Sequence, residues 1–169
     1  MNVKFKNYFF IFIGIIGSLI TLCGLSQEPA QVYYVIGSSL LLITAIYFQL
    51  FYFIALEIIL IAGHGTILLD VGSVLHLALP LFLCIQLLVF YFLSDRLNNL
   101  FLIIGVAGIA LISAGFAYNN QWVFFSGSLG VAIYAYYSAD KNKACLLWAI
   151  LNTLFAIIAL ARIVLPLIT

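Results

Sequence analysis

The chain has 169 residues, of which 67% are hydrophobic and 7% are charged, and its formal net charge is +1. Soluble domains carry about 25% charged residues, so this composition excludes an ordinary water-soluble domain. With a net charge of +1, the chain also has no basic surface that would bind nucleic acid. Apolar runs such as 75–93 and 100–118 are continuous, which argues against the alternating pattern of a transmembrane β-barrel. The sequence predicts an all-α, polytopic membrane protein with a single membrane domain, residues 1–169.

Seven membrane-spanning helices are predicted, because about 20 apolar residues cross a bilayer core of about 30 Å. Polar breaks at 27–31, 70–73 and 94–99 separate some of them. The stretch from Val32 to Leu69 would be about 57 Å long as one helix, so we place a turn inside it at Gln49. The predicted spans are 7–26, 32–50, 52–70, 75–93, 99–118, 122–139 and 144–166.

The basic residues predict how these spans are oriented. With the N-terminus in the cytoplasm, five of the six basic residues lie on the cytoplasmic side, as the positive-inside tendency requires: Lys4, Lys6, Arg96, Lys141 and Lys143. The sequence therefore predicts an N-in, C-out protein, and we expect it in a bacterial cytoplasmic (inner) membrane. A signal peptide that begins at Lys4 and Lys6 is an alternative interpretation of the N-terminal segment.

Glycines in the first and fifth spans indicate an internal repeat. Three glycines recur 91 residues later, so that Gly14, Gly17 and Gly24 correspond to Gly105, Gly108 and Gly115. A shift of 90 residues then aligns Gly37-Ser38 with Gly127-Ser128, and a shift of 95 residues aligns Leu56-Glu57 of the third span with Leu151-Asn152 of the seventh. Repeats four spans apart have the same orientation, which predicts a parallel 3+1+3 architecture. Residues 1–70 and 99–169 would be the three-helix repeats and 75–93 the linker helix, although close helix packing alone also explains glycines in spans.

Polar residues within the spans are the candidate site residues, because burying an ionisable group in a membrane is costly. Glu57 and His64 are seven residues apart and so share one face of the third span. They form either a pocket or a hydrogen-bonded pair between helices. Gln86 of the fourth span either bonds to a neighbouring helix or faces a cavity. The sequence contains no compact pattern of metal ligands, and we predict no metal or other cofactor.

The last span contains Trp148 and Asn152, which are four residues apart and share a helix face. An aromatic surface beside an amide suits a small aromatic or sugar-like solute. The string Trp148–Asn152, preceded by Leu146-Leu147 and the loop 140–143, resembles the Trp-x-x-x-Asn helix of PnuC-type vitamin transporters in the SWEET-like (PQ-loop) superfamily. The resemblance covers residues 127–165. It implies that Trp148 and Asn152 face a ligand such as a vitamin or nucleoside-like solute.

These observations predict a small-solute transporter or facilitator with a mid-membrane pocket between two repeats. Glu57, His64, Gln86, Trp148 and Asn152 would line the pocket. The expected partners are the lipid bilayer, a small solute and a second copy or another membrane protein. The alternative is a non-catalytic membrane subunit or assembly factor of a larger complex. A membrane-embedded enzyme that uses Glu57 and His64 is a third hypothesis.

Overall fold

The computed structural model describes residues 3–167, so residues 1, 2, 168 and 169 of the predicted domain lie outside the described part. Within that part the chain is all-helical and contains no strand. Its α-helices are α1 (Val3–Cys23), α2 (Ala30–Tyr47), α3 (Phe51–Leu68), α4 (Ser73–Leu93), α5 (Leu100–Ala117), α6 (Gln121–Ala139) and α7 (Leu146–Val164). Short 3₁₀ turns, Lys143–Cys145 and Leu165–Leu167, flank α7.

All seven predicted spans coincide with these helices, and their ends differ by no more than four residues. The predicted turn at Gln49 is confirmed, since α2 ends at Tyr47 and α3 begins at Phe51. Six of the described helices are long and apolar enough to cross a membrane. The exception is α6, whose sequence carries serines and tyrosines among its apolar residues. A membrane protein is therefore supported, while α6 as a seventh span stays a prediction.

Four helices end in the same kind of turn. One residue just beyond each helix has a positive φ, at Gln49, Asp70, Asp95 and Asn119. The next amide then bonds back five residues, as in the bond of 2.9 Å from Leu50 N to Ala45 O. This bond is typical of a Schellman turn, in which a left-handed residue closes the helix and satisfies its last carbonyls. In all four turns this residue has a polar side chain, and the helix ends two residues before it.

The helices pack as two groups of three with α4 between them. In the first group α2 packs against α1 and α3, and in the second α6 packs against α5 and α7. The groups meet along two smaller contacts, α1 with α7 and α3 with α5. Helix α4 packs against α3 and α5, so much of its surface is turned away from the protein. The largest fully buried side chains, Trp148 and Phe53, belong to different groups and meet between them.

Candidate functional site

The centre of the site is a hydrogen bond between the two groups of helices. Trp148 Nε1 on α7 donates to Glu57 Oε1 on α3 at 2.7 Å, and both side chains are buried. Trp148 also stacks on Phe53, with ring centroids 4.5 Å apart and an interplanar angle of 28°. Phe53 lies one helical turn before Glu57, so α3 holds Trp148 both by stacking and by hydrogen bonding. The contact fixes the position of the indole between the helix groups.

Asn152 lies one turn after Trp148 and is also buried. Its amide Nδ2 donates to the backbone oxygen of Trp148 at 2.9 Å, a bond within α7. The other carboxylate oxygen of Glu57, Oε2, is buried and makes no hydrogen bond of regular geometry with the described residues, and the hydroxyl of Ser38 is the side-chain donor that faces the carboxyl group. A buried oxygen of this kind costs about 1–3 kcal/mol unless a partner reaches it. Glu57 therefore retains an acceptor for another group.

A small cavity lies beside this carboxylate, and apolar side chains form most of its wall. Its volume is about 20 Å³, which is enough for one water molecule but not for a larger solute. Glu57, His64 and Asn152 contribute polar groups to it, together with Thr21 and Ser38 from α1 and α2. The structure thus brings three predicted site residues to one cavity, whereas Trp148 adjoins it through Glu57. In this conformation the cavity is too small for a vitamin-sized molecule.

A layer of aromatic rings closes one end of this cavity. His64 lies 4.6 Å from the ring of Tyr34 and 4.5 Å from the ring of Phe116, measured between centroids. Tyr34 and Phe116 are themselves 4.8 Å apart. Since Tyr34 belongs to α2 and Phe116 to α5, the layer joins the two groups of helices. We call these three side chains the aromatic layer.

On the other side of the aromatic layer lies a wide, open cavity of about 950 Å³, which we call the vestibule. Tyr34 and Phe116 form part of its wall, and Phe116 lines both the vestibule and the small cavity. The polar side chains of its wall come from three places: the α1–α2 turn with the start of α2, the α5–α6 turn with the start of α6, and α7. They are Ser26, Gln27, Glu28, Gln31, Asn119, Gln121 and Arg162. Arg162 is exposed, and its Nη2 donates to Leu25 O at 2.5 Å. This bond ties the end of α7 to the turn between α1 and α2.

The structure places Gln86 apart from the other predicted site residues. Its side chain is exposed on α4 and lines none of the cavities described above. Glycines flank His64 on both sides in the sequence: a side chain at Gly63 would meet Pro80 at 3.0 Å, whereas Gly65 has no atom within 4 Å of such a position. Among residues 3–167, no three His, Cys, Asp or Glu side chains come together as a metal site would require.

Three residues of this region were missed by the sequence argument: Tyr34, Phe116 and Arg162. Aromatic residues in an apolar span are indistinguishable from lipid-facing ones until the helix faces are known. One signal was present, because the shift of 90 residues that relates Gly37 to Gly127 also places Tyr34 opposite Phe124, and both rings pack on Phe116. Comparison of the chain with protein-family models, with curated proteins and with solved structures finds no match. The function therefore has to be argued from the site itself.

Proposed function

We propose that the chain is a small-solute transporter or facilitator in which the vestibule receives the solute and the Glu57–Asn152 region binds it between two three-helix repeats. One observation carries the proposal: an open vestibule of about 950 Å³ lies over a small buried cavity that Glu57, His64 and Asn152 line, and the aromatic layer lies between the two. Small-molecule sites have volumes of about 300–1,000 Å³. The vestibule has the size of such a site, and the buried cavity has the polar groups.

The contacts between helices support the repeat. A side chain at Gly14 on α1 would meet Leu147 on α7 and Thr44 on α2. The corresponding Gly105 on α5 would meet Tyr134 on α6 and Tyr52 on α3. Tyr134 is equivalent to Thr44 at the shift of 90 residues, and Leu147 is equivalent to Tyr52 at the shift of 95 residues. Likewise Gly17 faces the backbone oxygen of Gly37, and Gly108 faces that of Gly127. The two helix groups thus use equivalent positions for equivalent contacts, as a parallel duplication requires.

The site residues also occupy equivalent positions in the two repeats. Phe53 corresponds to Trp148, and these two rings stack on each other. Glu57 corresponds to Asn152, and both line the small cavity. Residues that stack on or face their own equivalents lie close to a two-fold axis between the repeats. A site on such an axis is where parallel-repeat transporters bind their solutes.

The proposed cycle has two states. In the described conformation the vestibule is open and the aromatic layer separates it from the small cavity. Binding requires Tyr34 and Phe116 to move apart and the small cavity to enlarge, because about 20 Å³ admits no more than a water molecule. Movement of one repeat relative to the other, along the small α1–α7 and α3–α5 contacts, would provide this opening and then close the vestibule.

The chemistry of the walls indicates the kind of solute. Three aromatic rings line the inner part of the vestibule: Tyr34, Phe116 and Phe124. Side-chain amides surround them, so a planar ring with hydroxyl or amide substituents fits best. A vitamin or nucleoside-like solute has this character, as the resemblance to PnuC-type transporters also implies. Five of the six basic residues lie at the face opposite the vestibule, so in the N-in orientation the vestibule opens outside the cytoplasm.

Uptake into liposomes tests this proposal. The purified protein is reconstituted, and labelled nicotinamide riboside, nucleosides and pyridine vitamins are offered in turn. We expect saturable uptake of at least one of them. Asn152→Leu should lower it at least tenfold, because a binding amide is replaced by an apolar side chain of similar size. Gln86→Leu is the matched control and should leave uptake unchanged, since Gln86 is exposed on α4.

Two results would count against the proposal. A folded protein with no saturable uptake of any of these solutes would refute transport of this class. Equal uptake by wild type and Asn152→Leu would refute the site. A non-catalytic membrane subunit is the second candidate, favoured by the closed interior and by the Glu57–Trp148 bond as a lock between helices. Stoichiometric co-purification of another membrane protein, without uptake, would support that alternative.

A further inference from the structure

A second small cavity adjoins the first one. It has a volume of about 10 Å³, close to the minimum for one water molecule, and it lies between α3, α4 and α5. His64 and His76 both line it, with Ser113 and Phe116. His64 also lines the cavity of Glu57, so one imidazole is shared by the two cavities.

Three polar atoms of the side chains that border these two cavities are buried and make no hydrogen bond of regular geometry with the described residues. They are Nε2 of His76, Nδ1 of His64 and Oε2 of Glu57. Each would cost about 1–3 kcal/mol if it stayed without a partner. All three side chains can exchange a proton, and each borders a cavity that could connect it to the next by a single water molecule. Packing alone gives no reason for three such groups to follow one another.

The three side chains lie at increasing depth from the vestibule end of the molecule. His76 is in the first turn of α4 and is half-buried, at the same end of the molecule as the vestibule. His64 is in the last turn but one of α3, and Glu57 lies deeper, two turns further from that end. Depth therefore increases from His76 through His64 to Glu57.

We propose that Glu57 is a proton-binding site and that protons reach it from the vestibule end through His76 and His64. His76 takes up a proton and passes it to His64. His64 accepts it on one ring nitrogen and releases another from its second nitrogen, so the ring ends neutral with its tautomer exchanged. The carboxylate of Glu57 accepts the released proton and becomes a neutral carboxylic acid, and each ring returns to its first tautomer before the next transfer. This inference rests on the proposed transport function for its purpose, which is to couple solute movement to a proton.

The surroundings of His76, His64 and Glu57 favour proton exchange over a fixed ion pair. Facing His64 are Tyr34 of α2 and His76 of α4, whereas Ser113 and Phe116 of α5 are not titratable. Facing Glu57 are Ser38 of α2 and Trp148 and Asn152 of α7, none of which is titratable. The other titratable or charged groups nearby are Tyr52 of α3, Cys84 and Tyr91 of α4, Tyr134 of α6, and Arg162 of α7 beside Tyr34. Among these, only Arg162 carries a fixed charge near neutral pH, and it is exposed in the vestibule.

Infrared spectroscopy of the reconstituted protein tests the inference without any solute. Lowering the pH should raise the carboxylic acid C=O band of a buried glutamic acid, and Glu57→Gln should abolish that band. After a rapid drop in pH on the vestibule side, His64→Gln and His76→Gln should slow the rise of the band at least tenfold and leave its final height unchanged. In the control variant Gln86→Leu, on the same helix as His76, the band should rise at the wild-type rate.

The possible outcomes are distinct. A titrating band that survives Glu57→Gln, or the absence of any titrating band, would overturn the proton site. Wild-type rates in His76→Gln would overturn the route, and this variant remains informative if His64→Gln does not fold, because His76 is half-buried. A titrating Glu57 in a protein that takes up no solute would refute the transport function alone. Uptake without a titrating Glu57 would refute the proton site alone.

Discussion

The contact between α5 and α6 is so close that one added methyl group should weaken it. A Cβ atom at Gly108 would lie 2.8 Å from Val131 N and 2.9 Å from Gly127 O, whereas ordinary contacts begin at 3.4 Å. Gly108→Ala therefore requires the two backbones to separate by about 0.5 Å. Overpacking of this kind costs about 1–3 kcal/mol. Alanine regains about 0.5–1 kcal/mol of helix preference, so we expect a net loss of about 1 kcal/mol and at most about 2.5 kcal/mol.

The matched control for this substitution is Gly65→Ala on α3. No atom lies within 4 Å of its added Cβ, so only the helix preference applies and the stability should be unchanged or slightly raised. Unfolding in mixed micelles with increasing detergent, followed by the fluorescence of Trp148 in a Trp122→Phe background, measures both. Gly17→Ala, which would meet Gly37 O at 2.8 Å, should lose about as much as Gly108→Ala if the repeats are equivalent. Equal stability of Gly108→Ala and Gly65→Ala would refute this account of the packing.

Two further predictions concern the site. A double-mutant cycle of Glu57→Leu and Trp148→Phe should give a coupling free energy of about 0.6 kcal/mol, the average for hydrogen bonds between membrane helices, and at most about 1.7 kcal/mol. Unfolding in the same mixed micelles, followed by circular dichroism because Trp148 itself is replaced, measures the coupling, and zero coupling would contradict the bond between these side chains. In a background without native cysteines, Ser38→Cys should react slowly with a water-soluble thiol reagent, and Phe116→Ala should accelerate that reaction at least tenfold because it opens the aromatic layer. An unchanged rate would show that Phe116 does not separate the vestibule from the small cavity.

The helices could be predicted from the sequence because each one is an apolar run that ends at a polar residue. The need for a turn between Val32 and Leu69 followed from length, since the bilayer cannot accommodate a helix of about 57 Å. Its position at Gln49 followed from the aromatic residues on both sides, because such residues gather at membrane interfaces. The partners of Glu57 could not be predicted, because the sequence does not show which face of α7 meets α3. Gln86 shows the limit of the polar-residue argument. It lies in a predicted span, but its side chain is exposed on α4, which packs mainly against α3 and α5.

The tight turns at Gln49 and Asp70 also control the angular phase of α3. Each residue of an α-helix turns the next side chain by about 100°. If α3 began one residue earlier or later, Glu57 would rotate away from Trp148 towards α4 or the surrounding lipid, and Phe53 would lose its stacking partner at the same time. The left-handed turn residues hold both ends of the helix and so prevent this rotation. Side chains at the rim of the molecule thereby set the direction in which Glu57, the one buried acid among residues 3–167, points.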